Sequence, residues 1–403
     1  MPTLLQIDSC LGIGSTGRIT ESIGALAMAR GWDCYIAHGA RFVGETKMKS
    51  IPVVSTIGEY RHALKSRLLD RHGLGSTCET ERLVEKIKEI KPDIIHLHCI
   101  HGYYLNYKVL FEYLNSTDIP VVWTFHDCWA FTGHCAYFDS IECQKWHTKC
   151  YNCLLKKEYP SSLFLDNSTQ NYIIKRRLFA KNKNLVIVPV SYWLEDLVRH
   201  SFFSSHPIKT IHNGIDLNNF KPSNQSIKLE NVEGKTIILG VAAPWDKRKG
   251  LEDFIRLRFL LDDSYAIVVV GLSEEQLNGL PKNIIGLRRT NNVRELAELY
   301  SRASVYVNPT YSDNFPSTNL EALACGTPVI TYQTGGSPEA INDKTGVVVP
   351  KGDIKGLVTA IQGLKNNPLS SDACRKRAVE LFDKEERFMD YIRLYDELLK
   401  GKK

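Results

Sequence analysis

At 403 residues the chain exceeds one ordinary core, so two domains are the economical expectation. A hydrophobic fraction of 43% and a charged fraction of 24% exclude a fibrous repeat or a disordered chain. The net charge of +6 is interspersed with acids, which argues against a nucleic-acid partner, and no run approaches the roughly 20 apolar residues of a membrane helix.

Continuous apolar, β-branched runs predict buried strands at Thr3 to Asp8, Cys34 to Ala37, Asp93 to His98, Val121 to His126 and Leu185 to Val190, with amphipathic helices between them. After the first run, Gly12, Gly14 and Gly17 precede a helix expected to start near Arg18. Such a backbone either admits a phosphate closely or is a plain tight turn.

After the fourth strand, an insertion at about 128–160 holds Cys135, Cys143, Cys150 and Cys153 among aromatic side chains. Four thiolates at this spacing suit a structural zinc; reduced core thiols and redox-labile pairs are the alternatives. His96, His98 and His101 lack a third ligand by spacing and read as satisfied polar groups at a strand's end.

A stretch poor in apolar residues at 213–233 reads as a linker, dividing a first domain at 1–212 from a second at 213–384. The second series of strands is Thr236 to Ala242, Ala266 to Gly271, Ser304 to Pro309, Val329 to Tyr332 and Val347 to Val349. The pattern as a whole is α/β, two doubly wound parallel sheets, and ligands on such sheets bind beyond the carboxyl ends of the strands.

Two sequences at those ends carry chemistry. Lys247, Arg248 and Lys249 precede Gly250, and three cations there either neutralise a diphosphate or form a solvated basic turn. After Pro309, a loop carries Asp313, and Pro316 and Ser317 open a helix containing Glu321. Two carboxylates flanking a helix start can hold vicinal hydroxyls at either end of a diphosphate. The final segment, 385–403, repeats apolar residues at three-and-four spacing as an amphipathic helix that seeks a surface, with a return to the first domain as one option.

Ser304 to Ile341 resembles the E-x7-E region of the retaining, GT-B-fold glycosyltransferases of family 4. The matching residues are Ala324-Cys325-Gly326-Thr327-Pro328-Val329 and Gly335-Gly336. His212-Asn213-Gly214-Ile215-Asp216 with Phe220 and Pro222, Lys249-Gly250, the glycine loop and Trp123-Thr124-Phe125-His126-Asp127 extend the likeness along nearly the whole chain. It implies two Rossmann-like domains facing across a cleft, with Glu321 accepting the nucleotide's ribose hydroxyls and Asp313 in the sugar-contacting first-Glu position. It also implies that Lys249, helped by Arg248, holds the phosphates, that backbone N–H groups from Asn314, Phe315, Pro316 and Ser317 face sugar and phosphates, that His126 lies near the sugar, and that Gly14 and Gly17 close over the diphosphate. Two positions depart from the family: Asp313 is one methylene shorter than Glu, and Pro244 stands where an Arg is usual.

The activity implied is transfer of a hexose from a nucleotide-diphosphate sugar to a saccharide or lipid-linked acceptor, with retention, in surface polysaccharide assembly. No metal is implied at the reaction centre. A non-catalytic nucleotide-sugar-binding protein, or another nucleotide-sugar enzyme on the same fold, is the alternative. Without a basic-then-apolar leader the chain reads as cytoplasmic, and its modest basic surplus and final helix would permit peripheral contact with the inner face of a membrane.

Overall fold

The computed structural model describes residues 1–223 and 229–401, so residues 224–228 of the expected linker lie outside the described residues. The chain divides into two units, Met1–His212 with Glu385–Lys403, and Asn213–Lys384.

In the first unit one sheet is built from β1 (Thr3–Asp8), β2 (Asp33–His38), β3 (Lys49–Pro52), β4 (Ile94–Leu97), β5 (Val121–Phe125) and β6 (Leu185–Pro189). Its order is β3-β2-β1-β4-β5-β6, and every neighbouring pair is parallel. β4, β5 and β6 are buried along their whole length, as continuous apolar runs require when helices cover both faces.

The second unit repeats the plan with β7 (Thr236–Val241), β8 (Tyr265–Val270), β9 (Ile284–Leu287), β10 (Val305–Asn308), β11 (Val329–Tyr332) and β12 (Gly346–Val349). The order is β12-β11-β10-β7-β8-β9, again all parallel. In each sheet the winding reverses between two central strands, β1 and β4 in one, β7 and β10 in the other, and the loops leaving those strands open a crevice for ligand.

β3 and β9 are additions to the expected strands. Both are four-residue edge strands, and β3 is mostly exposed and ends in Pro52. Edge strands carry little apolar signal, and proline is tolerated there because its missing donor faces no neighbour.

The last helix, Lys384–Lys400, buries Phe388, Tyr391, Ile392, Leu394 and Tyr395 in the first unit's core beside Ile23, Trp32, Ile36 and Ile94. Tyr395 OH lies 2.6 Å from His96 Nδ1, His96 Nε2 lies 2.8 Å from Thr124 Oγ1, and Thr124 donates to Tyr391 OH at 3.1 Å. Since Thr124 Oγ1 donates onward, it accepts from His96 Nε2–H, and neutral His96 then accepts from Tyr395. The apolar face that sequence reading offered to a membrane is therefore spent on this core, a correction to the basis of that expectation.

Candidate functional site

In the second unit, the turn after β7 and the loop after β10 meet at the reversal point. Lys247–Lys249 forms one 3-10 turn, and Gly250 follows with φ +78°. A Cβ on Gly250 would stand 2.2 Å from the Pro309 carbonyl oxygen, so this close approach of two loops needs glycine. One backbone and one side-chain bond lock them: Tyr311 N–H donates to Arg248 O at 2.7 Å, and Arg248 Nη1 donates to Ser312 O at 3.0 Å.

The result is an ion-paired cluster. Lys249 Nζ lies 2.5 Å from Asp313 Oδ2 and Arg248 Nη1 3.8 Å from the same atom, with the Asp313 side chain 15% exposed. Burial pushes the Asp313 carboxyl up, but Lys249 and Arg248 outweigh it and hold it below the usual carboxylate range. Behind it, a Cβ on Gly335 would fall 1.7 Å from Asp313 O, and Gly336 N–H donates to Asn314 O at 3.0 Å. The Gly-Gly loop is thus a backbone buttress for the carboxylate's own loop.

The helix Ser317–Ala324 starts just beyond, with Pro316 at its N-cap and no side chain capping its first N–H groups. Such a start attracts anions through donors and dipole together. Its far end is held by Arg375, whose Nη1 donates to Ala324 O at 2.8 Å. Glu321 accepts from Tyr300 OH at 2.9 Å. Tyr300 is fully buried and was missed by sequence reasoning, because a Tyr in an amphipathic helix reads as core. The structure gathers Arg248, Lys249, Asp313, Asn314, Ser317 and Glu321 around one helix start, with one correction: Pro316 has no N–H to offer. The Phe315 side chain is buried against Phe382, so its backbone is the part left for a ligand, as expected.

In the first unit the glycine segment differs from expectation. The helix begins at Gly14, not near Arg18, so Gly14 and Gly17 lie in its first turn. Gly17 is there because a Cβ would meet Cys10 Cβ and Gly12 N, each at 3.2 Å, and this tight packing offsets a helical glycine's cost of about 1 kcal/mol. Gly14 has φ +71° and nothing within 4 Å of a Cβ, leaving its backbone open to approach.

His126 follows β5, and a chain of hydrogen bonds sets its tautomer. Gln6 Nε2 donates to Thr20 O at 2.9 Å, so Gln6 Oε1 faces His98 Nε2, 3.2 Å away, and must accept from it. Burial drives His98 well below the usual histidine range and His126 to about 4, so both are neutral near pH 7. Neutral His98 therefore accepts at Nδ1 from His126 Nε2–H, 3.2 Å away, leaving the His126 lone pair on Nδ1. Next to it, burial raises the Asp127 carboxyl but His101, at 2.9 Å, outweighs that and holds it low.

Cys135, Cys143, Cys150 and Cys153 all border one cavity of about 20 Å³, and all are free thiols. Cys135 hydrogen-bonds to Cys153, and that bond brings Cys153 down to about 7. Cys150 Sγ accepts from Gly133 N–H at 3.2 Å. Among the described residues no three His, Cys, Asp or Glu side chains are assembled to hold a metal ion. Buried Lys175, donating to Trp129 O at 2.7 Å, ties the insertion to the helix Ser168–Phe179.

Two parallel doubly wound sheets, each reversing at its centre, with a cationic helix start beyond one of them, define the GT-B class of nucleotide-sugar enzymes. The chain belongs to glycosyltransferase family 4: that family's model matches residues 18–219, and the model of glycosyl transferases group 1 matches residues 223–381. It is 25% identical over 347 residues, 82% of each chain, to WcaC of Escherichia coli, described as a colanic acid biosynthesis glycosyl transferase. Its fold is shared with sucrose-phosphate synthase from Thermosynechococcus elongatus, at TM-score 0.73, 17% identity and full coverage of both chains. It is shared also with Anabaena HepE in complex with UDP, at TM-score 0.66, 13% identity and coverage of 98% and 100%. The protein is a glycosyltransferase. Among the described residues no helix is long and apolar enough to cross a membrane.

Proposed function

We propose that this glycosyltransferase moves a hexose from a nucleotide-diphosphate sugar, with retention, onto a saccharide or lipid-linked acceptor during surface polysaccharide assembly. The observation that carries the reading is the cluster of Lys249, Arg248 and Asp313 at the uncapped start of Ser317–Ala324, with Glu321 on the same helix. Lys249 and Arg248 would take up the charge that grows on the departing diphosphate, and the helix start would share it. Glu321, positioned by Tyr300, would accept the ribose hydroxyls, and Asp313 those of the sugar. His126 would face the sugar with Nδ1 as acceptor. The polysaccharide role is supported by the likeness to WcaC, and the diphosphate donor by the UDP in HepE.

For the acceptor, a cavity of about 360 Å³ lies between the insertion and the helix Tyr192–Arg199, bordered by Trp146, Trp193, Asp139 and Asp196. Aromatic faces and carboxylates suit the apolar and hydroxyl sides of a pyranose.

Glu321→Ala tests the reading. Two lost charge-assisted bonds at about 1.5–3 kcal/mol each should cut donor turnover roughly 100-fold or more. Stabilisation against heat by UDP-, GDP- or dTDP-sugars should fall with it. Wild-type protein that binds a nucleotide sugar but neither transfers nor hydrolyses it would instead be a non-catalytic binder. Because cations and a helix start serve the leaving group, leaving Mg2+ and Mn2+ out of the assay is expected to leave turnover unchanged.

The four cysteines support a further proposed role, a structural zinc. A void above the roughly 10–15 Å³ that one water needs, with thiols on its wall, has room for an ion once the Sγ atoms turn inward. One zinc per chain in protein purified without chelator is the expected result; metal-free, fully folded protein would make the four packing thiols.

A further inference from the structure

The helix Thr56–Leu69 is inverted relative to a soluble protein's surface helix. Its inward face is polar: Glu59, His62 and Ser66 are buried, as is Asp70 at its end. Its outward face is apolar, with Ile57, Tyr60, Leu64 and Leu68 exposed by 65%, 61%, 59% and 37%. At 3.6 residues per turn these four form one stripe, flanked by Arg61 and Lys65 on one side and Arg67 on the other. Glu59, the helix's single acid, is turned inward and paired with Arg41 at 2.5 Å.

A second exposed apolar run adjoins its end. Leu163, Phe164 and Leu165 are exposed by 59%, 69% and 47%. Leu163 N–H donates to Arg67 O at 2.7 Å, and Asn167 Nδ2 donates to Leu69 O at 2.6 Å, so the run is docked on the helix. Lys156 in turn donates to Phe164 O at 3.2 Å. The inward polar groups hold their own partners: His62 Nε2 accepts from Gly75 N–H at 3.0 Å, and Asp70 accepts from Asn167 N–H at 2.7 Å. The outward stripe is thus no accident of a loosely packed helix.

We propose that this face, Ile57, Tyr60, Leu64 and Leu68 with Leu163–Leu165, docks the first unit on an anionic lipid bilayer. Apolar side chains with two aromatics, Tyr60 and Phe164, among them enter the headgroup boundary, and the flanking Arg61, Lys65 and Arg67 meet the lipid phosphates. Charge selects this occupant: the exposed helix face offers cations and no acid, which suits an anionic surface and opposes a second copy, where the same cations would face one another. This deepens the reading of a lipid-linked acceptor and rests on it only for its purpose, since the docking itself needs no donor.

Flotation of the full chain with phosphatidylglycerol–phosphatidylethanolamine vesicles, against phosphatidylcholine vesicles, is the test. Wild-type protein should float with the anionic vesicles and be released by salt; Leu64→Glu and Arg61→Glu/Lys65→Glu should each cut the floated fraction at least tenfold. Both sets of side chains are solvent-exposed or half-exposed, so melting temperature and nucleotide-sugar stabilisation should stay at wild-type values. No flotation at low salt, or flotation by Leu64→Glu equal to wild type, overturns the proposal. A concentration-dependent dimer that Leu64→Glu dissolves also overturns it, in favour of a second copy. Flotation without any nucleotide-sugar binding would leave the membrane face standing and sink the transferase mechanism instead.

Discussion

Lys249→Met should lower turnover by roughly two to three orders of magnitude, about 3–4 kcal/mol of transition-state stabilisation, with little loss of fold. Lys249 Nζ sits 2.5 Å from Asp313 and is the nearest cation to that carboxylate in the cluster. If the turn were only a solvated basic loop, its removal would cost less than tenfold. Comparison with Asp313→Asn separates two roles. Should Lys249 serve chiefly to hold Asp313, the double variant will be no worse than either single one; should it meet the diphosphate directly, the losses will add. Direct contact is the expected outcome, because Arg248 at 3.8 Å remains to orient Asp313 when Lys249 is gone. Steady-state kcat for the two single variants and the double variant, on the best donor found, decides the matter.

How much of this was legible in the chain depends on range. β1, β5 and β11 lie within a residue of the continuous apolar runs, because a strand buried on both faces needs a run and little else. Asp313 and Glu321 were readable together because only seven residues of loop and helix separate them. The contact of Lys249 with Asp313 was not, since it joins positions 64 apart through the register of β7 against β10. Tyr300 was invisible for a different reason: a hydroxyl under Glu321 differs from a core aromatic only by its partner. His98 read as a satisfied polar group and His126 as a neighbour of the sugar, and only pairing of the two strands makes His98 the ring that orients His126. The helix Thr56–Leu69 defeats periodicity altogether, because its stripe is real but faces outward; amphipathicity names two faces without saying which is inside.

The same buried histidines predict that the first unit is the acid-labile half of the molecule. Burial lowers His62 to about 4 and drives His72, His96 and His98 well below the ordinary histidine range. In the unfolded chain each would titrate near 6.5. Below that value the unfolded state binds protons the folded state refuses, so stability falls as pH falls from about 6.5 toward the depressed folded values. Each group contributes up to about 1.4 kcal/mol per pH unit, and four together approach 5 kcal/mol per unit, against a typical total of about 5–15 kcal/mol. Asp8 opposes them: burial raises it to about 6, so between its unfolded value near 4 and 6 it gains stability as pH falls. One carboxyl against these four imidazoles, with His126, lowered to about 4, on the same side as the four, leaves the net slope destabilising. All these groups lie within Met1–His212, as do five of the six tryptophans, so intrinsic fluorescence reports the unit concerned. Urea midpoints followed by tryptophan emission should drop steeply between pH 6.5 and 5 at constant ionic strength. A midpoint unchanged over that interval would mean that these rings reach solvent or share protons in the native state, contrary to the hydrogen bonds that hold them.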